Sequence, residues 1–445
     1  MNNSENTNAT VDMKTLKRDM LPRTFSRSGK IWVAALLVIF AIGLYFYVFK
    51  QLRHGLVVTA MRDYVSWGMY ISTFVFFVAV SLVGSLISAI LKLSNVRWQT
   101  PLTRIAEVIA VGGIVFAGLI IIIDMGRPER FWHLFVYGRI QSPIIWDVIV
   151  IATYLVVSVL LLYIPLIPDI AICRDATPDD KKWLKKFYNF FAIGWEGTKE
   201  QYNIIHRSVK TLAVLVIPLA LYIHTVTSWL FAMTPRSGWN STNFGPYFVS
   251  GAFVVGAAGV ICAMYVLRRY YHLEKYITLK HFDYMGRLLV MLTLVYLYFN
   301  VNEFFVPGYK MEKAEAENLH SILVGSYAPM FWGVQVFGMI IPVIIMIFKK
   351  GRTPLVMFII SIFVIIGAWF KRFIIVIPTM LHPFLPIQHV PDSYMHYHPT
   401  ITEWAITAGT MAGVLLIITF FVRYFPIIPI WETAEENNIQ HEEIK

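Results

Sequence analysis

The sequence predicts an all-α integral membrane protein with ten transmembrane helices, and three observations carry that prediction. Of the 445 residues, 57% are hydrophobic and only 15% are charged, against about 25% charged in soluble domains. The mean hydropathy is +0.61. The apolar residues fall into runs of roughly 20 or more, the length that crosses about 30 Å of hydrocarbon as a helix. A water-soluble enzyme is excluded.

Taken in order, the apolar runs between polar clusters predict spans at 31–49, 64–91, 104–125, 142–167, 209–233, 245–267, 282–305, 329–348, 354–380 and 401–424. An even number places both termini on one side. The two termini and the even-numbered loops, with the span ends that border them, hold 27 of the 38 Lys and Arg, including Lys181, Lys182, Lys185 and Lys186. The odd-numbered loops hold nine, and Lys371 and Arg372 lie within the ninth span. Because basic loops stay in the cytoplasm, both termini are expected there, in a bacterial inner membrane, with the loop 126–141 outside. The net charge of +11 is then a topology signal, not a sign of nucleic-acid binding.

Around the spans the expected organisation is a polar cytoplasmic segment at 1–30, with no cleavable signal, and a peripheral first span with its outer loop at 31–63. Two halves follow at 64–233 and 234–380. A His/Pro-rich outer loop with the tenth span covers 381–425, and an acidic cytoplasmic tail covers 426–445. The stretch at about 177–206 places basic and aromatic residues at helical spacing, as a helix lying in the membrane interface does. A solvated connector is the plain alternative.

Cys173 and Cys262 stand apart with no Cys-x-x-Cys or Cys/His spacing, so no iron–sulfur cluster or zinc site is expected in this chain. His382, His389, His396 and His398 crowd one loop without the spacing of a metal motif. No pair of histidines at matching depth suggests haem.

Ionisable side chains inside the spans are costly and usually mark a bundle interior, an ion or proton path, or a substrate site. Asp124 ends the third span, and Asp147 lies five residues into the fourth, roughly 8 Å along a helix; the two share one depth. Joined by a loop bearing Arg127 and Arg130, they suit proton exchange with a bound molecule, although an Asp124–Arg127 pair closing the helix end reads equally well. His224 reaches the same layer on the fifth span, followed by Thr225, Thr227, Ser228 and Trp229. Glu107, Asp169, Asp283, Asn300, Asn302, Glu303, Lys371, Arg372 and Glu403 form further polar positions, either a proton path or a structural cluster. Glu303 or Glu403 is the expected partner of Lys371 and Arg372. Polar lines through ten spans also suit a secondary transporter or channel, but no broken helices stand in corresponding positions of two halves.

Several stretches together resemble the NrfD-like membrane subunits, which include those of polysulfide reductase and alternative complex III, the C subunit of the latter being the nearest likeness. They are WGMYI at 67–71, DMGRPERF at 124–131, SPIIWD at 142–147, IPDIA at 167–171, HTVTSW at 224–229, NFGPYF at 243–248, HFDYMGRL at 281–288 and WFKRF at 369–373. The resemblance implies two four-helix bundles, spans two to five and six to nine, with the first and tenth spans peripheral. It also implies a quinone site, with menaquinone expected, on the outer side of the first bundle, beside an iron–sulfur subunit and c-type cytochromes, and a homologous second membrane subunit. The family's quinone-binding histidine falls at Asp124 and its aspartate at Asp147. Trp67, Tyr70, Arg127, Trp146 and His224 complete the expected quinone site. Lys371 occupies a position where the family pattern has an acid.

Overall fold

The computed structural model describes residues 13–22, 24–94, 100–385, 387–437 and 439. Residues 1–12 of the polar amino-terminal segment and 440–445 of the acidic tail lie outside them. Ten helices are long and apolar enough to cross a membrane: α1 (Arg27–Tyr45), α2 (Met69–Ser94), α3 (Thr100–Asp124), α4 (Pro143–Tyr163), α5 (Lys199–Ala232), α6 (Phe244–Tyr270), α7 (Leu279–Lys310), α8 (Ala328–Ile347), α9 (Pro354–Leu381) and α10 (Ile401–Tyr424). No strand occurs among the described residues.

Local chemistry sets where these helices begin. Pro143 and Pro354 occupy the first turns of α4 and α9, where a missing N–H removes no helical hydrogen bond. Thr198 with Gln201 and Thr400 with Glu403 form capping boxes at the starts of α5 and α10, satisfying backbone N–H groups that would otherwise lack partners. In α8 a π-helical turn, Val336–Ile340, precedes Pro342 and absorbs the irregularity that an internal proline imposes.

α2 packs against α3 and α5, and α4 packs against the same two helices, closing a ring of four. α6, α7, α8 and α9 close a second ring in the same way, and the rings meet where α2 and α5 touch α6 and where α2 touches α9. α1 and α10 pair beside the first ring, with α10 on α3. Burial follows that order: 94% of the apolar window of α2 is buried, against 11% in α1. Between lipid-facing helices close packing replaces the hydrophobic drive, so small residues mark the crossings. A Cβ on Gly43 would come within 2.8 Å of Ala405 O and of Gly409 Cα. A Cβ on Gly251 would lie 2.7 Å from the Tyr296 ring and 2.9 Å from Arg372 Nη2.

The structure corrects several boundaries. α5 starts at Lys199, ten residues before the expected span. The expected interfacial helix at 177–206 is therefore only Lys182–Phe191, and 199–206 belongs to α5. Beyond α4 the chain turns through Ile164–Leu166 into another helix, Ile167–Ala176. Nor is the segment after 425 simply a tail: Ile430–Glu436 is a helix, with Trp431 buried. The helix Met13–Met20, with Leu16 fully covered, contacts it.

Candidate functional site

Asp147 is buried and Asp124 partly buried, in two separate polar settings. Asp124 ends α3, where Gly126 at φ +69° turns the chain away. One carboxylate oxygen, Oδ1, is covered and accepts no hydrogen bond. Glu403 and Tyr70 are its electrostatic neighbours. Tyr70 donates to Gln51 Oε1 at 2.8 Å, and Gln51 donates to Ile123 O at 2.7 Å, next to Asp124 in the chain. Glu403 accepts from Tyr397 Oη at 2.5 Å and from the backbone N–H groups of Ala60 at 2.8 Å and Thr400 at 2.9 Å. Tyr397 Oη in turn accepts from Met69 N at 2.8 Å. One carboxylate thereby ties the 46–68 loop, the 381–399 loop and the starts of α2 and α10 together beside Asp124.

Asp147 is 3% exposed, and Thr227 donates to its Oδ1 at 2.6 Å from α5. His224, one turn earlier on α5, is buried with neither ring nitrogen in a well-formed hydrogen bond; the Ala220 carbonyl lies nearby, outside that geometry. The electrostatic neighbour of His224 is Arg372 of α9. Trp146 Nε1 donates to Ile140 O and holds the loop on α4. Trp67 stacks on Trp239 at 5.8 Å and meets Phe231 edge-on at 5.6 Å, so it belongs to an aromatic cluster between the rings.

The expected Asp124–Arg127 pair is not formed: Arg127 is exposed, and among the described residues no ion pair joins it to Asp124. Arg130 and Arg139 are exposed as well, beside Trp132, Phe135, Tyr137 and Ile140, each more than half exposed.

The other polar positions separate into distinct groups. Asp169 pairs with Arg104, both essentially unexposed, and accepts from Ile430 N and Trp431 N at 3.1 Å. Arg104 also donates to Pro426 O and Pro165 O at 3.1 Å. The pair thus docks the carboxy-terminal helix. Glu107 accepts from Ser88 at 2.5 Å. Asp283 is held by Arg352 at 2.6 Å and Arg287 at 2.7 Å. Asn302 is partly buried and donates to Tyr298 O.

The expected partnership of Lys371 and Arg372 with Glu303 or Glu403 is corrected. Glu403 is occupied beside Asp124. Glu303 is an electrostatic neighbour of Lys371 but accepts instead from Asn243 at 3.3 Å. Among the described residues Lys371 Nζ has no hydrogen-bond partner, and it sits over the rings of Phe304 at 4.5 Å, Phe331 at 5.1 Å and Tyr247 at 5.8 Å. Arg372 lies 5.1 Å over Phe248. Cation–π attraction from ring faces replaces a carboxylate here. Asn300 bonds Tyr247 and Gln335. A small cavity of about 40 Å³ lies in this second ring, lined by Glu303, Glu315, Asn318, Tyr247 and Thr379 among others; neither Asp124 nor Asp147 lines it.

Among the described residues no three His, Cys, Asp or Glu side chains gather as a metal site, and the His382 ring bonds Pro378 O at 2.7 Å. Gln51, Thr227 as a partner of Asp147, and Tyr397 are not legible as site residues in the sequence. Gln51 meets Ile123, Thr227 meets Asp147 and Tyr397 meets Met69 across long separations in the chain, which periodicity does not encode.

Comparison with known proteins decides the family. The family model described as polysulphide reductase, NrfD, matches residues 57–383. The chain belongs to this NrfD family. The C subunit of selenate reductase from Mesobacillus selenatarsenatis is 26% identical over 394 residues, covering 85% of this chain and 90% of that protein. The integral membrane subunit of menaquinone reductase from Nitratidesulfovibrio vulgaris is 23% identical, covering 92% and 93%. The Hdr-like menaquinol oxidoreductase integral membrane subunit of Archaeoglobus fulgidus is 22% identical, covering 92% and 95%. This NrfD-family chain is a multi-pass membrane protein similar to membrane subunits of reductase complexes.

Proposed function

We propose that the chain is the quinone-reactive membrane subunit of a respiratory oxidoreductase complex, exchanging two electrons and two protons with menaquinol at the end that bears Asp124 and Asp147. The observation that carries this reading is the covered, partnerless Oδ1 of Asp124 at the end of α3; Asp147, in the first turns of α4, is buried with one side-chain donor, Thr227. A partnerless buried acceptor is costly, and a quinol hydroxyl supplies the donor it lacks.

Quinol supplies two protons and two electrons when it is oxidised. Asp124 and Asp147 each have an oxygen able to hold one of the protons. Tyr70 and Gln51 fix the backbone around Asp124, and Thr227 orients Asp147. The electrons pass to a partner: an iron–sulfur subunit, serving c-type cytochromes, docks on the loop 127–141, where Arg127, Arg130 and Arg139 surround exposed aromatic side chains. A homologous second membrane subunit, as in alternative complex III, and cytoplasmic termini in a bacterial inner membrane complete the proposal. The two rings of helices are read as the two four-helix bundles of that architecture. The similarity to the menaquinone reductase and menaquinol oxidoreductase membrane subunits supports the quinone.

In the assembled complex, Asp147→Asn is expected to reduce quinol-linked electron transfer by roughly 10²–10⁴-fold, the range for loss of a proton-transfer group. Asp124→His, which places the family's residue there, is expected to keep at least about a tenth of the activity. Normal turnover by an assembled Asp147→Asn complex would falsify the assignment.

A further inference from the structure

The helix Lys182–Phe191, which the proposed function does not use, has three distinct faces. Leu184, Phe187, Tyr188 and Phe191 turn toward the body. Tyr188 Oη donates to Tyr424 O at 2.7 Å, and Phe187 meets Tyr424 at 6.2 Å and Phe425 at 6.0 Å. Trp183 and Phe190, seven residues apart on the neighbouring face, are 69% and 76% exposed. Lys182, Lys185, Lys186 and Asn189 recur at i, i+3, i+4 and i+7, which aligns them in one stripe.

That stripe faces Arg174, at the end of the preceding helix, across an open groove lined by Arg174, Asp179, Lys182, Lys185, Lys186 and Asn189. The four cations share the groove with one carboxylate, Asp179, which pairs with Lys185 at 2.5 Å while itself 91% exposed. Arg174 is braced by Asp175 and by Trp195 O. The helix follows Ile167–Ala176, which continues from the membrane-crossing α4, and precedes the membrane-crossing α5, so it lies at the membrane boundary. An exposed aromatic edge beside a basic stripe is the arrangement that places rings among acyl chains and cations at headgroup level.

We propose that this groove binds the phosphate headgroup of an anionic phospholipid, with Lys182, Lys185, Lys186 and Arg174 on the headgroup and the edge formed by Trp183 and Phe190 in the acyl region. The lipid phosphate displaces the exposed Asp179 from Lys185. An acidic protein partner would use the basic stripe but leave the aromatic edge in water, which disfavours it.

The test uses the full chain in detergent micelles, with native mass spectrometry counting retained lipid during titration with phosphatidylglycerol, phosphatidylcholine or inorganic phosphate. Phosphatidylglycerol is expected to be retained and to raise the melting temperature, with phosphatidylcholine and free phosphate doing neither. Lys185→Gln/Lys186→Gln should weaken phosphatidylglycerol retention by about tenfold or more. Lys349→Gln/Lys350→Gln, which removes the same charge from another exposed basic turn, should leave it unchanged. Equal losses in the two double variants would overturn the site, as would stabilisation by inorganic phosphate alone. Should Lys185→Gln/Lys186→Gln fold poorly, Lys186→Gln alone carries the comparison, and retention unchanged from the parent refutes the proposal.

Discussion

Replacing Asp169 by asparagine tests whether the most buried ion pair among the described residues anchors structure or carries protons. Asp169 is unexposed and Arg104 is 1% exposed, and the carboxylate also accepts from Ile430 N and Trp431 N at 3.1 Å. Asparagine keeps one acceptor for those N–H groups but leaves the guanidinium without its counter-charge. Uncovering one partner of a buried pair costs about 3–5 kcal/mol, a large share of a typical stability of about 5–15 kcal/mol. Arg104→Met/Asp169→Asn removes both charges, though also the donors to Pro426 O and Pro165 O, so its loss should fall well under the sum of the single variants. Unfolding midpoints in mixed micelles, with limited proteolysis after residue 425 reporting release of the Ile430–Glu436 helix, measure both effects. An Asp169→Asn protein that melts like its parent, or single variants whose losses simply add, would refute the anchoring argument.

Lys371→Met should leave the unfolding midpoint within about 1 kcal/mol of the parent, because a flexible thioether suits the space among Phe304, Phe331 and Tyr247 and no hydrogen bond is lost; a larger loss would show that the cation itself holds the ring together. Gly409→Val should destabilise the α1–α10 contact by about 1–3 kcal/mol, since a Cβ there comes within 2.9 Å of Gly43 Cα. Thermal unfolding checks this against Ala408→Val, a change at the exposed neighbouring position, and equal midpoints for the two variants would refute the close-contact argument.

The membrane-spanning helices are legible wherever hydropathy and local caps agree. The tenth span, expected at 401–424, is Ile401–Tyr424, with the Thr400–Glu403 capping box at its start. The ninth opens at Pro354 as expected. α5 begins ten residues early because its first three turns are amphipathic and extend beyond the apolar run, which hydropathy cannot register; the Thr198–Gln201 cap is the readable sign. Asp124, Asp147 and His224 are legible as intramembrane polar residues. Their partners are not: Thr227 meets Asp147 across 80 residues, and Asp169 meets Ile430 across 261. The Asp124–Arg127 pairing fails because spacing alone ignores the left-handed turn at Gly126, which sends the arginine into the open.

The placement of His224 bears on whether protons cross between the two rings. A proton leaving Asp147 toward Glu303 would pass His224, then Arg372 and Lys371 on α9. Arg372 remains charged in proteins, and it is the electrostatic neighbour of His224. A second positive charge beside a fixed one is disfavoured at the low effective dielectric of a protein interior. Neither cation has a carboxylate at ion-pair distance among the described residues; Glu303 is an electrostatic neighbour of Lys371, while Arg372 lies over the Phe248 ring. Proton exchange is therefore expected at the end of α3 and α4, with the second ring serving as scaffold. Glu303→Gln keeps the shape and the acceptor for Asn243 while removing a titratable group, and proteoliposomes carrying the assembled variant should move as many protons per electron as the parent. An assembled variant that transfers electrons normally but moves fewer protons would show that Glu303 and its cavity carry them, and that the charge at Arg372 is no barrier.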